Sequence, residues 1–461
     1  MKTKLFAVAA AVGALIWAAP AMAGGGGGGA GAAQLGAQIA STQQSAMSAA
    51  TSTQNAVNAN VPVSIAGGNV TAGPSTATQT ADSNAHATAS NDANTTQNQT
   101  QNQNVGGSSC TLGCGGAGAA QIGAQVANTN QDANANSTSD QNAVNANVPV
   151  SIGGGNVSSG PSTATQNANS DAHAHASNHA NTTQTQTQNK NVGGNSSCKL
   201  GCGGAGAAQI GAQIAGTEQT GNANASSNQN AVNANVPVSI AGGDVASGPS
   251  SADQTANSTA KAKAKNDADT TQSQTQNQNV GGDESCHLGC GGAGAAQIGA
   301  QLAGTEQNAN ANANSDQNAV NANVPVAIAG GDVSSGPSSA NQTASSKANA
   351  KASNHADTTQ SQTQNQNVGG GSSCGAGCGG PGAFQAGIQK SWTGQWANAC
   401  ATSLQNAVNT NAPHAVAGGD IWGGPSSAMQ NASSEGNAKA RNHAGTNQTG
   451  DQSQSVGNAL N

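Results

Sequence analysis

From Ser75 to Gln101 the chain alternates between a fixed set of small or amide residues and a changing set of polar ones. Ser75, Ala77, Gln79, Ala81, Ser83, Ala85, Ala87, Ala89, Asn91, Ala93, Thr95, Gln97, Gln99 and Gln101 take every second place. The same fourteen residues recur in the same order from Ser162, from Ser250 and from Ser338, while eleven of the thirteen intervening positions change. His86, for example, becomes His173, Lys261 and Asn349, and Thr88 becomes His175, Lys263 and Lys351. A period of two predicts β structure, with the fixed track inside and the variable track facing solvent. A straight strand of this length would run about 90 Å, beyond the usual range. The expectation is therefore of short strands joined at corners into a β-solenoid.

A second alternating track lies upstream. Gln121, Gly123, Gln125, Ala127, Thr129 and Gln131 recur from Gln209 and from Gln297. Stacked on their own kind in successive layers, Gln and Asn form side-chain hydrogen-bond ladders, and small residues between them permit close packing of sheets. Turns are marked by Gly-Gly-Asn or Gly-Gly-Asp at 67–69, 154–156, 242–244 and 330–332, and by Gly-Pro-Ser beginning at 73, 160, 248, 336 and 424. Pro62 and its copies sit inside an apolar run, where a residue without an N–H argues for a corner or an edge.

These landmarks share one period. Gln-Asn-Ala-Val-Asn-Ala-Asn-Val-Pro-Val begins at 54, 141, 229 and 317, with a weakened copy at 405. Cys110, Cys198, Cys286 and Cys374 are spaced by 88. The organisation expected is a signal peptide over 1–23, a Gly-rich lead-in over 24–29, and repeats at 30–114, 115–202, 203–290 and 291–378. A divergent fifth copy follows at 379–461. Repeats of this kind bury little alone and are stabilised by stacking.

Composition explains why stacking is needed. The chain of 461 residues has no Tyr, two Phe and four Trp, and its 34% hydrophobic content is mostly Ala. Ordering a residue costs about 1.5 kcal/mol, which methyl burial at about 25 cal/mol per Å² does not offset. An ordinary globular core is excluded. Only 7% of residues are charged, and the net charge of −7 argues against a nucleic-acid partner.

Lys2 and Lys4, the apolar run Leu5–Ala19 and Ala21-Met22-Ala23 read as a secretory signal. No later segment reads as membrane-spanning, so the expected location is extracellular or on the cell surface. Cysteines then meet an oxidising compartment. Eight of them form C-x-x-x-C pairs: Cys110 with Cys114, Cys198 with Cys202, Cys286 with Cys290, and Cys374 with Cys378. These eight are disulfide candidates, with their connectivity left open. The pattern matches neither C-x-x-C zinc spacing nor a haem motif, and no metal or cofactor is expected.

No nucleophile and base recur together, so an enzyme is not expected. His86, His173, His175, His179, His355 and His443 fall on the variable track and read as solvent-facing. Lys261, Lys263 and Lys265 share that face and read as solubilising residues. The fifth repeat departs from the rest. Trp392, Trp396 and Cys400 lie on its outer track, and Trp422 follows its Gly-Gly-Asp turn. A capping layer is one reading. The other is an intermolecular contact, with the indoles docking on a partner and Cys400 forming a bridge.

The Gln-Asn-Ala-Val-Asn-Ala-Asn-Val-Pro-Val segment, followed by Gly-Gly-Asn/Asp and an Ala, Asn, Gln and Ser-rich run, resembles the repeats of bacterial Fap-type functional amyloid subunits. The Gln-x-Gly-x-Gln track is similar to curlin repeats. This resemblance implies an exported subunit that polymerises with copies of itself into extracellular fibres of a biofilm matrix or cell-surface layer. The alternatives are a monomeric β-solenoid serving as a surface adhesin or ice-binding module, and a disordered low-complexity spacer.

Overall fold

A computed structural model describes residues 31–65, 68–106, 117–153, 155–193, 196–198, 205–240, 243–281, 284–286, 293–328, 331–370, 372–374, 382–416 and 419–458. Each repeat forms one layer of a stack. Layer 1 contains β1 (Gly31–Asn60), β2 (Val63–Ile65), β3 (Val70–Ala72) and β4 (Ser75–Val105). Layer 2 contains β5 (Gly118–Asn147), β6 (Val150–Ile152), β7 (Val157–Ser159), β8 (Ser162–Val192) and β9 (Ser196–Cys198). Layer 3 contains β10 (Gly206–Asn235), β11 (Val238–Ile240), β12 (Val245–Ser247), β13 (Ser250–Val280) and β14 (Glu284–Cys286). Layer 4 contains β15 (Gly294–Asn323), β16 (Val326–Ile328), β17 (Val333–Ser335), β18 (Ser338–Gly370) and β19 (Ser372–Cys374). Layer 5 contains β20 (Gly382–Asn411), β21 (His414–Val416), β22 (Ile421–Gly423) and β23 (Ser426–Asn458).

Corresponding strands pair in parallel and in register through all five layers. Ala207, for instance, lies opposite Ala119 on one side and Ala295 on the other. The result is an all-β solenoid of stacked layers. Two wide five-stranded sheets face one another, β1-β5-β10-β15-β20 and β4-β8-β13-β18-β23, and two narrow sheets of three-residue strands close the turn between them.

The expected short strands joined at corners are not what forms. The wide-sheet strands run 30 to 33 residues without interruption. Strand length is normally limited by how much twisted sheet one core can cover. Here each strand lies in register against the identical segment of the next layer, so it runs for as long as the repeat preserves its alternation. The corners occur only where the turn signals stand. Val61 and Pro62 separate β1 from β2, and Gly73 and Pro74 separate β3 from β4. Proline forfeits only its own donor at this corner: the Pro149 carbonyl still accepts from Val238 N–H at 2.9 Å.

The interior follows the fixed track. Its centre is methyl, built from Ala87, Ala89, Ala133, Ala135, Ala172, Ala174 and their copies. Its flanks are amide: Gln121, Gln125, Gln131, Gln184, Gln186 and Gln188 are fully buried. Gln125 shows how such a group is satisfied. Its Nε2 donates along the stack to Gln38 Oε1 at 3.0 Å and across the interior to Thr185 O at 2.9 Å, so desolvation of the amide is matched by hydrogen bonds. The Gly36, Gly123, Gly211, Gly299 and Gly387 column gives the facing glutamines room, since a Cβ at Gly123 would lie 2.7 Å from Gln188 Nε2.

The two wide sheets are offset by half a layer. Ser83 Oγ of β4 donates to Ser52 Oγ of β1 and accepts from Ser139 Oγ of β5, both at 2.7 Å. The chain of hydroxyls continues through Ser170, Ser227, Ser258, Ser315, Ser346 and Ser403. It passes from sheet to sheet at every step. Amide contacts agree: Gln125 of β5 reaches β8 in its own layer, whereas Gln97 of β4 reaches Val126 O in the next.

Candidate functional site: the open ends of the stack

The offset gives the stack stepped ends. The inner face of β4 lies between β1 and β5, and Ser83, Ala85 and Ala87 are buried although they belong to the first layer. At the other end β23 projects beyond β20. Its inner-track residues Ala438, Ala440, Asn442 and Gln448 are exposed or nearly so. One end therefore overhangs on the first wide sheet and the other end on the second.

Hydrogen-bond polarity differs between the ends. In the glutamine columns the later layer donates to the earlier one: Gln121 Nε2 to Gln34 Oε1, then Gln209 to Gln121, Gln297 to Gln209 and Gln385 to Gln297. Layer 5 thus ends on the amide oxygen of Gln385 and layer 1 on the amide N–H of Gln34. The Asn58, Asn145, Asn233, Asn321 and Asn409 column runs the opposite way, as does the column from Asn91 to Asn442. In each column the group left over at one end complements the group left over at the other. A head-to-tail contact satisfies both senses, whereas head-to-head contact sets like against like.

Apolar exposure is concentrated at the same ends. Leu35 and Ile39 on the outer track of β1 are 54% and 79% exposed, while Ile122, which stacks on Leu35 one layer in, is 4% exposed. An added layer would cover part of this surface, as at Val126, Ile210 and Ile298, which are half-buried. The fifth layer does not cap the solenoid in the expected way, because its inner track keeps Gln385, Gln389, Gln395, Ser403 and Gln405 in register. Among its described residues nothing covers β23.

The sequence-derived contact residues are only partly brought together. Trp392, Trp396 and Cys400 do lie on one outer face of β20, and all are exposed. Trp392 lies flat over Gly304 of the layer before, where a side chain would collide with its ring. Trp396 leans over Gly394 of its own strand. Trp422 belongs to β22, in a different sheet, and is 57% exposed. Cys400 stacks on Asn312, in a column whose first-layer member is Ala49, so head-to-tail contact places no second cysteine against it.

The expected disulfides are not found among the described residues, where Cys400 is a free thiol. Of the eight candidates, Cys110, Cys114, Cys202, Cys290 and Cys378 lie outside the described residues altogether. Cys198, Cys286 and Cys374 are described in backbone only. Their strands place Cys286 opposite Cys198 on one side and opposite Cys374 on the other. In-register stacking thus makes each of these three a neighbour of its own copy in the adjacent layer, a relation that the C-x-x-x-C spacing does not express. The expected signal peptide and lead-in also lie outside the described residues.

Sequence comparison missed Lys190. It occupies the inner column of Gln103, Gln278, Gln366 and Gln454, two places beyond the compared stretch, and is 3% exposed. Its Nζ donates to Ala119 O at 2.5 Å and Ala208 O at 2.6 Å. Burial lowers its pKa to about 7. The ladder breaks there: Gln103 Oε1 and Gln278 Nε2 are buried without partners. The signal is present in the sequence, where Lys190 stands at the position of Gln103, Gln278 and Gln366.

The outer face carries the histidines as expected, and burial followed by the Lys261 charge lowers the pKa of His173. Burial and then Lys263 lower that of His175. Asp269 is raised by burial and by the neighbouring Asp267 and Asp357 carboxylates. No helix among the described residues is long and apolar enough to cross a membrane. No protein-family model matches the chain, and no curated protein or solved structure matches it. Fold and ends define a class, the in-register parallel β-solenoid with open, complementary termini.

Proposed function

We propose that this protein is exported and assembles end to end into an extracellular cross-β fibre, as a structural and non-enzymatic subunit of a matrix or surface coat. The observation that carries this reading is the complementarity of the two ends. Unpaired strand edges template further pairing, and soluble monomers normally blunt them. In the joint, Gln448 and Gln452 of β23 take the places of Gln97 and Gln101. Those two donate to Val126 O and Ile122 O of the following layer, which correspond to Ile39 O and Leu35 O of the incoming chain. Ser434 likewise meets Ser52 and extends the hydroxyl chain. Growth has a direction, since each end accepts only the opposite one.

The test uses purified mature protein and its Ala438→Asp variant. Ala438 is exposed in the single chain, so the variant keeps its β circular dichroism, but a carboxylate there sits against the incoming β1 and stops elongation. Wild-type fibres should diffract near ~4.7 Å along the axis and near ~10 Å across it. Sedimentation of wild type as a monomer at every concentration would overturn the proposal and favour a monomeric solenoid. Unimpaired fibre growth by Ala438→Asp would overturn the end-to-end joint.

A further inference from the structure

In-register stacking brings together outer-face residues that are 88 apart in sequence, and at one place the result is a set of metal-ligand types. One column reads Asp92, His179, Asp267, His355, His443. The next column on the same face, two residues along, reads Asn94, Asn181, Asp269, Asp357, Gly445. The first three layers supply one imidazole, His179, and three carboxylates, Asp92, Asp267 and Asp269. Layers 4 and 5 supply two imidazoles and a carboxylate side by side.

Their geometry is convergent. The rings of His355 and His443 are parallel within 4°, with centroids 4.9 Å apart. Asp357 Oδ2 lies 3.3 Å from His355 Nε2. One donor atom from each of His355, Asp357 and His443 lies within 4.8 Å of the others. Four-coordinate zinc with bonds of about 2.1 Å holds its ligand atoms about 3.4 Å apart, so the three need close by at most about 1.4 Å. Asp357 and His443 are exposed and His355 is half-buried.

Gly445 supplies a second, independent observation. Its column carries Asn or Asp in every other layer, and a Cβ at this position would collide with Asp357 Oδ1. The missing side chain is a cradle into which the Asp357 carboxylate leans, toward the layer that holds His443. Asp267 and Asp269 extend the group, forming a second cluster with His355. Among the described residues Lys265 pairs with Asp267 at 3.2 Å, and neither Asp269 nor Asp357 pairs with a lysine or arginine. Asp267, Asp269 and Asp357 thus lie beside the imidazoles, with Lys265 and Arg441 in the neighbouring column on the same face.

We propose that His355, Asp357 and His443 form a binding site for a divalent late transition metal ion of the zinc, copper or nickel type, bridging layers 4 and 5. Two imidazoles and a carboxylate suit these ions, whereas calcium and magnesium favour oxygen-only sets. Water completes the coordination on the open side. The bound ion ties β23, the overhanging strand, to β18. This site is on the outer face and does not depend on polymerisation.

The experiment is equilibrium dialysis of the mature chain, carrying no polyhistidine tag, against Zn2+ with metal analysis of the retained protein. Wild type should bind one zinc ion per chain. His443→Asn and Asp357→Asn should each weaken binding about 10-fold or more. Gly445→Asn, which fills the cradle with the residue found in layers 1 and 2, should also weaken it. His86→Asn, in another column, should leave it unchanged. Circular dichroism confirms the fold, which tolerates these changes because the columns already vary. Unaltered zinc binding by both His443→Asn and Asp357→Asn overturns the proposal, as does an absence of saturable binding in wild type. Equal retention of Mg2+ by wild type overturns the assignment to a transition metal.

Discussion

Ser83 and Ser139 come from different layers and different sheets, and their hydroxyls meet at 2.7 Å in the middle of the molecule. The contact exists because the sheets are offset by half a layer, and it turns the serine positions into a continuous hydrogen-bonded chain. Each hydroxyl donates to one neighbour and accepts from the other, so an interruption leaves partners on both sides.

Ser227→Ala should therefore destabilise the fold by about 1–3 kcal/mol, the usual cost of leaving a buried polar group without its partner. Ser227 Oγ donates to Ser170 Oγ at 2.6 Å and accepts from Ser258 Oγ at 2.8 Å. Ser251→Ala, on the outer face, should cost less than about 0.5 kcal/mol. Denaturant midpoints of the two variants check the difference.

Lys190→Gln should stabilise the protein. A glutamine restores the column, giving Gln103 Oε1 a donor and Gln278 Nε2 an acceptor. The lysine pKa falls from 10.5 to about 7 on folding, so the unfolded chain binds the extra proton between those values and wild-type stability rises with pH across that window. The advantage of the variant is fully present below pH 7, where the charge contribution reaches at most about 5 kcal/mol, and it shrinks toward pH 10.5. Unfolding midpoints at about pH 6 and about pH 10 should differ in this sense.

Gly211→Ala should destabilise by about 1–3 kcal/mol through overpacking. The added Cβ would lie 2.7 Å from Gln276 Nε2 and 2.9 Å from Gln188 Oε1, and closer still to Gln274, all held in ladders. Gly206→Ala, where nothing lies within 4 Å, is the control. Thermal midpoints of the two variants should separate accordingly.

Stability should fall as pH drops below 6.5. His173 and His175 both have folded pKa values below the ordinary 6.5, so the unfolded chain takes up protons first. Their contribution is complete above 6.5 and is lost toward their lowered values. Replacing Lys263 by Asn should narrow the loss at His175, because burial remains but the largest opposing charge is gone. Asp269 acts with the opposite sign and in a lower window. Its raised carboxyl pKa makes the folded state gain relative stability as pH falls from that raised value toward 3.8. Unfolding midpoints measured across the acid range check both signs.

Hydropathy alone would have turned this molecule inside out. In the segment Gln34-Leu35-Gly36-Ala37-Gln38-Ile39 the aliphatic residues look like core and the glutamines like surface, yet Leu35 and Ile39 point outward and the glutamines inward. The fixed track between repeats marks the interior, because changing one side chain of a ladder strands its neighbours, as Lys190 does to Gln103 and Gln278. Ser75 to Gln101 lie within one unbroken strand because the usual length limit assumes a separate core beneath each strand. In-register stacking removes that limit.

The β period, the inward track and the turn signals are legible in the amino-acid sequence as local patterns repeated every 87 or 88 residues, whereas the number of layers per repeat is not. The half-layer offset that joins Ser83 to Ser139, the stepped ends that follow from it, and the meeting of His355, Asp357 and His443 arise only in the folded molecule. These are relations between strands distant along the chain. Their geometry is set by how one sheet settles against another, and a repeat read along its own length carries no record of that.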